Sequence, residues 1–209
     1  MNNITKIKGL IPGFNIQIQE YSGIVFSESA MNFSFGTLPD GDPVTGVRIS
    51  ADRLRATILS WGATLQDLRF DLADNRSDIP LVLGFDSIED YLVHGRVHGA
   101  TVGRSINRIG GANAMIDGEL SGLDSNSDGG HMLDGGGNGF GARNWRVVDA
   151  GPAHAGFVLT DPNGHMGFPS TVKATCTYSI VETVGQATLR VAFAATTDAP
   201  TLVNFGHHS

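Results

Sequence analysis

Seven histidines, at positions 94, 98, 131, 154, 165, 207 and 208, are the side chains best suited to move protons near neutral pH. Two of them, His207 and His208, are adjacent. Successive residues of a strand point to opposite faces, so at most one of this pair faces a given pocket and the two cannot readily share a metal ion. No H-E-x-x-H pair and no Cys/His spacing of a structural zinc site occurs, and neither a metal nor an organic cofactor is expected. A lone histidine near a chain end is more often structural or exposed than catalytic, so context must decide its role.

Asp124-Ser-Asn126-Ser-Asp128-Gly129 places oxygen ligands at alternate positions, as in the first half of a calcium loop. Gly135 occupies the position of the closing bidentate Glu, and the same composition is ordinary for a turn. The run Gly135-Gly-Gly-Asn-Gly-Phe-Gly141 lacks the G-x-G-x-x-G register, a following Lys-Ser/Thr and a surrounding βαβ pattern, so a nucleotide site is poorly supported.

The elements that must hold these residues read as strands. Thr45–Ser50 and Arg53–Leu59 alternate about Ala51-Asp52 as a hairpin, and Ala63–Phe70 follows the Trp61-Gly62 turn. Ile79–Gly84 reads as a short buried strand, and Ser87 with Asp90 caps one helical turn. Trp145–Val148, Gly156–Thr160, Thr171–Val181 and Ala187–Thr197 are further strands, the last two an antiparallel pair. Glycine is dense from Gly99 to Gly141, which marks that region as the binding surface to search.

With 28 glycines, 17% charged residues and 41% hydrophobic residues, the 209-residue chain is predicted to be all-β, one domain over residues 1–209. A net charge of −7 without a run of Lys and Arg argues against nucleic acid as a partner. No segment is long and apolar enough to span a bilayer or to serve as a secretory signal, and a cytoplasmic protein is expected. The one cysteine, Cys176, lies in an alternating apolar stretch and is expected in the core.

Five ordered segments carry a family resemblance: Leu83-Gly-Phe-Asp-Ser-Ile-Glu-Asp-Tyr91, Gly99-Ala-Thr-Val-Gly-Arg-Ser-Ile-Asn-Arg-Ile109, Leu133-Asp-Gly-Gly136 with Gly139, Phe140 and Trp145, Asp161-Pro-Asn-Gly-His-Met-Gly-Phe-Pro169, and Thr197-Asp-Ala-Pro-Thr-Leu-Val-Asn-Phe-Gly-His-His-Ser209. In order and spacing, over roughly residues 35 to 209, the chain resembles the aldose 1-epimerase (galactose mutarotase) family. The resemblance implies a large antiparallel β-sandwich with an open cleft for a monosaccharide. It implies that Asn107 and Arg108 hold sugar hydroxyls and that His208, in the V-N-x-x-x-H-S pattern, protonates the ring oxygen. The family's L-H-G-G histidine is replaced by Asp134, which accepts but does not donate as an ionised acid; His131, three residues earlier, is the candidate to compensate.

Anomer exchange by ring opening needs a proton delivered to the ring oxygen and another removed from the anomeric hydroxyl. The family pattern puts the base, a glutamate, beyond Ser209. The resemblance therefore predicts a sandwich incomplete at its C-terminal end, inactive as 209 residues and inclined to associate through unpaired edges. At full length it predicts a monomer or homodimer acting on a free hexose such as galactose or glucose. Two other readings are a non-catalytic carbohydrate-binding or regulatory module, and an epimerase of phosphorylated hexoses, which would want an added cationic cluster.

Overall fold

A computed structural model describes residues 5–6, 17–18, 32–72, 78–95, 97–183 and 186–209. Two antiparallel sheets dominate it. After a short pair, β1 (Thr5–Lys6) with β2 (Gln17–Ile18), the first sheet runs in order β3 (Asn32–Thr37), β4 (Pro43–Ala51), β5 (Leu54–Leu59), β6 (Thr64–Phe70) and β7 (Ile79–Pro80). Helix α1 (Ile88–His94) follows. Short strands β8 (Thr101–Val102), β9 (Arg108–Ile109), β10 (Asn113–Ile116), β11 (Glu119–Gly122) and β12 (Met132–Leu133) fill the glycine-rich middle. The second sheet is a meander of β13 (Arg146–Gly151), β14 (His154–Asp161), β15 (Val172–Thr183) and β16 (Gln186–Thr197), and β17 (Gly206–His207) ends the series.

Alternation explains why these segments are strands. Along β15, Val172, Ala174, Cys176, Tyr178 and Ile180 are buried, while Lys173 and Thr177 between them are exposed. In β4, Val47 and Ile49 turn inward and Arg48 and Ser50 outward. The inward sets meet in one core that also takes Ile58, Leu65, Trp145, Phe157 and Leu159, so the sheets pack face to face. Burying a side chain of this kind stabilises by about 1.5–3 kcal/mol. Phe157 packs edge-on against Tyr178 at 6.2 Å between ring centres, and truncating it to Ala would cost about 3–5 kcal/mol.

The hairpin expected around Ala51-Asp52 forms one residue later, with Ala51 paired to Leu54 and Asp52 at φ 50°. The Thr171–Val181 and Ala187–Thr197 pair forms in register from Val172↔Thr197 to Thr183↔Gln186. The expectation of a buried strand over Ile79–Gly84 is corrected: only Ile79–Pro80 pairs, with β6, and Ile79, Leu81 and Leu83 are exposed. Proline has no N–H to offer a further neighbour, and Pro80 sits at the sheet edge, where that absence is tolerated. Ser87 caps α1 as expected, accepting from Asp90 N at 3.2 Å, and Ile88 and Tyr91 bury the helix against Leu38, Val44 and Leu59.

Candidate active site

The segment from Gly99 to Ile109 is the spine on which the candidate residues hang. On one side β8 pairs with β17, Gly206 opposite Val102 and His207 opposite Thr101. His208 N donates to Ala100 O and Gly99 N to His208 O, each at 3.0 Å. A parallel bridge of Ser105 with Asn204 continues the attachment through Asn204 N to Arg104 O (2.9 Å) and Ile106 N to Asn204 O (2.7 Å). On the other side β9 pairs with β12, Leu133 opposite Arg108.

The next residues on that side form a reciprocal clasp. Asp134 N donates to Asn107 O at 3.1 Å, and Asn107 N donates to Asp134 Oδ1 at 2.8 Å. Both residues have positive φ, 65° for Asn107 and 54° for Asp134, a region that Asn and Asp tolerate better than other side chains. Asn107 Oδ1 also accepts from Arg108 N at 2.8 Å. Asn107, Arg108 and Asp134 are thus brought together; His131, one strand earlier, instead accepts from Gly111 N through Nδ1 at 3.0 Å. That bond leaves the proton of a neutral His131 ring on Nε2.

Asp124 and Asn126 hold the turn that carries Asp134. Asn126 exchanges two bonds with the Leu133 backbone, at 2.6 and 2.9 Å, and Asp124 Oδ2 accepts from Gly137 N at 2.8 Å. These oxygens are committed to amides, which is turn chemistry in place of calcium ligation. Gly135, at φ +83°, lies so close to Gly103 that a Cβ would stand 1.9 Å from Gly103 O; no other residue fits. Beside the turn a cavity of about 100 Å³ is lined by Asn126, Leu133, Asp134 and the glycines at 136, 139 and 141.

Adjacent His207 and His208 face apart, as strand geometry requires. His208 is exposed, whereas His207 is half-buried against Tyr178, its Nε2 2.7 Å from the phenol oxygen. Tyr178 spends its single proton on Ala63 O at 2.6 Å, so His207 must donate from Nε2. Burial pushes His207 down to about 4, with the neighbouring His208 adding to the effect, and the ring is neutral at pH 7. Burial likewise raises Tyr178 well above its ordinary value and Cys176 to about 12.

Four side chains unassigned from sequence fix this arrangement. Arg104 and Asp161 are buried and paired, and Asp161 Oδ1 also meets Arg143 (2.6 Å) and His165 (2.7 Å). Arg104 donates further to Pro169 O, Ser170 O and Thr201 Oγ1, at 2.8, 3.0 and 3.1 Å. The guanidinium therefore joins the spine, the end of β14, the loop before β15 and the approach to β17. Arg104 and Asp161 both lie inside the quoted motifs, but nothing local marks an arginine as buried.

Among the described residues there is no group of three His, Cys, Asp or Glu that could hold a metal ion, and no helix is long and apolar enough to cross a membrane.

The family profile described as aldose 1-epimerase matches residues 46–209. The aldose 1-epimerase of Escherichia coli K12 is 34% identical over 172 residues, 81% of this chain and 48% of that protein. Galactose mutarotase of Bos taurus is 36% identical over 179 residues, 84% of this chain and 49% of its own. The solved structure of a GalM/aldose epimerase homologue from C. elegans superposes with a TM-score of 0.70 at 33% identity, over 78% of this chain and 49% of that one. Galactose 1-epimerase from Lactobacillus acidophilus shares the fold, with a TM-score of 0.70 at 24% identity over 85% of this chain and 51% of that one. The chain spans about half the length of the relatives it matches. With most of its length matched and its β-sheets shared, the chain belongs to the aldose 1-epimerase family.

Proposed function

We propose that the protein, in its natural full-length form, interconverts the α and β anomers of a free hexose such as galactose or glucose. The observation that carries this reading is the single spine, Gly99–Ile109, with His208 attached along one side and the Asn107–Asp134 clasp along the other. Exposed His208 is the general acid that protonates the ring oxygen as the C1–O5 bond breaks. Asn107, Arg108 and Asp134 hold hydroxyls, and His131 contributes its Nε2 proton. The base that takes the anomeric proton is the glutamate that the family resemblance implies.

A free sugar is favoured over a phosphorylated one by the charge at the clasp. Arg104 and Arg143 both pair with Asp161, and Arg108 is the one arginine of the three without an ion pair among the described residues, short of the cationic cluster that a phosphate would want. No cofactor takes part, and the setting on this reading is cytoplasmic, for a monomer or homodimer. Polarimetry of freshly dissolved α-galactose tests it: mutarotation accelerates with the full-length protein and loses most of that acceleration in His208→Ala. An unchanged rate in that variant removes His208 from the mechanism.

A second reading is a sugar-binding module without chemistry, favoured by Asp134, an acceptor at a position where the family resemblance expects a donor. Sugar binding by the full-length protein with no gain in mutarotation rate decides for it.

A further inference from the structure

Resting on the sugar-binding reading above, the clasp also shows which hydrogen-bonding atoms are left for a ligand. Asn107 Oδ1 is taken by Arg108 N, and Asp134 Oδ1 by Asn107 N. Among the described residues, Asn107 Nδ2, Asp134 Oδ2 and the Arg108 guanidinium carry no hydrogen bond or ion pair. Asp134 also lines the cavity beside the turn. Its orientation is fixed from both ends: the main chain by the bond to Asn107 O and the side chain by the bond from Asn107 N.

We infer that Asp134 is a specificity-determining residue whose Oδ2 is an acceptor-only contact for one sugar hydroxyl, which must donate its hydrogen there. The hydroxyl oxygen in turn accepts from Asn107 Nδ2 or Arg108, so the site reads both halves of one O–H group. A carboxylate has no hydrogen to offer. Fluorine or a methoxy group on the same carbon can accept but not donate, and it would strip water from Asp134 without replacing the bond. Sites built around a hydroxyl reject analogues that cannot complete its bond far more strongly than apolar pockets reject a missing methylene.

Asp134→Asn separates this role from the clasp. The amide oxygen still accepts from Asn107 N, because the opposite rotamer would set an NH2 against that N–H, and the second atom becomes a donor. The experiment measures the affinity of parent and variant for galactose and its 2-, 3-, 4- and 6-deoxyfluoro analogues by NMR titration, with thermal melts to confirm folding. In the parent, one fluorinated position weakens binding about ten-fold or more. In the variant, galactose binds more weakly and the penalty at that same position shrinks to about two-fold or less. Should Asp134→Asn fold poorly, Asp134→Ser, which keeps an acceptor and adds a donor, takes its place. Unchanged galactose affinity with an unchanged fluorine pattern overturns the inference and leaves Asp134 as a clasp alone, as does a parent without a sensitive position. Failure of the parent to bind any of these sugars overturns the functional reading itself.

Discussion

Arg104 and Asp161 pair at 2.6 Å with 0% and 2% of their side chains exposed, and this buried contact fastens the spine of the candidate site to the second sheet. Residues carrying opposite sides of the site, Asn107 and His208, lie three and four places along the chain from points that this cluster ties down, Arg104 and Asn204.

Removing Arg104 takes one partner from buried Asp161 and the donor from the Pro169 and Ser170 carbonyls. Arg104→Met should destabilise the fold by about 3 kcal/mol or more, read as a lower urea midpoint, because Asp161 stays buried with Arg143 and His165 as its remaining partners. Arg104→Lys should recover less than half, since a point charge cannot span Asp161, the Pro169 and Ser170 carbonyls and Thr201 together. A variant as stable as the parent would show the cluster to be dispensable.

Gly135→Ala should damage the turn more than a surface change does. Its Cβ would lie 1.9 Å from Gly103 O at a φ of +83°, so backbone must move on both sides. A loss of about 2 kcal/mol or more is expected by chemical denaturation, with NMR shifts spreading to Asn107. Gly118→Ala is the control: a similar φ of +84° with nothing within 4 Å isolates the conformational part.

The depressed value of His207 sets a pH dependence with a definite sign. The unfolded chain takes up a proton near 6.5 but the folded ring only near 4, so stability contributed by neutral His207 is full above about 6.5 and declines as pH falls towards 4. His207→Phe should flatten that part of the profile between pH 7.5 and 4.5. Equal slopes in parent and variant would place the charged ring in the fold.

Cys176 should not react with a thiol reagent at pH 8 until the protein unfolds. Its side chain is buried, Thr101 Oγ1 bonds to it at 3.4 Å, and burial raises its thiol to about 12. Rapid labelling of the native protein would mean that the sheets open locally around β15.

Most of the sheet architecture was legible as periodicity. The alternation of β4, β5, β6, β15 and β16 is written in neighbouring residues, and a two-residue period has few other ways to bury itself. Strand β3 and the β10–β11 hairpin escaped that reading. Ile79–Gly84 misled it, because a short apolar run does not say whether anything will cover it.

The candidate site was legible in its residue types and illegible in its connections. Sequence alone determined the family pattern, the opposed directions of His207 and His208, and the presence of Asn107, Arg108 and Asp134. Only tertiary structure decided that Asp134 grips Asn107 from 27 residues away, that Arg104 reaches Asp161 across 57, and that His207 rests on Tyr178, 29 residues earlier. The physical reason is that strand periodicity is set by backbone geometry within a few residues. Which atoms meet across a fold depends on register, sheet stacking and left-handed backbone positions such as Asn107 and Asp134, all settled when the whole core packs.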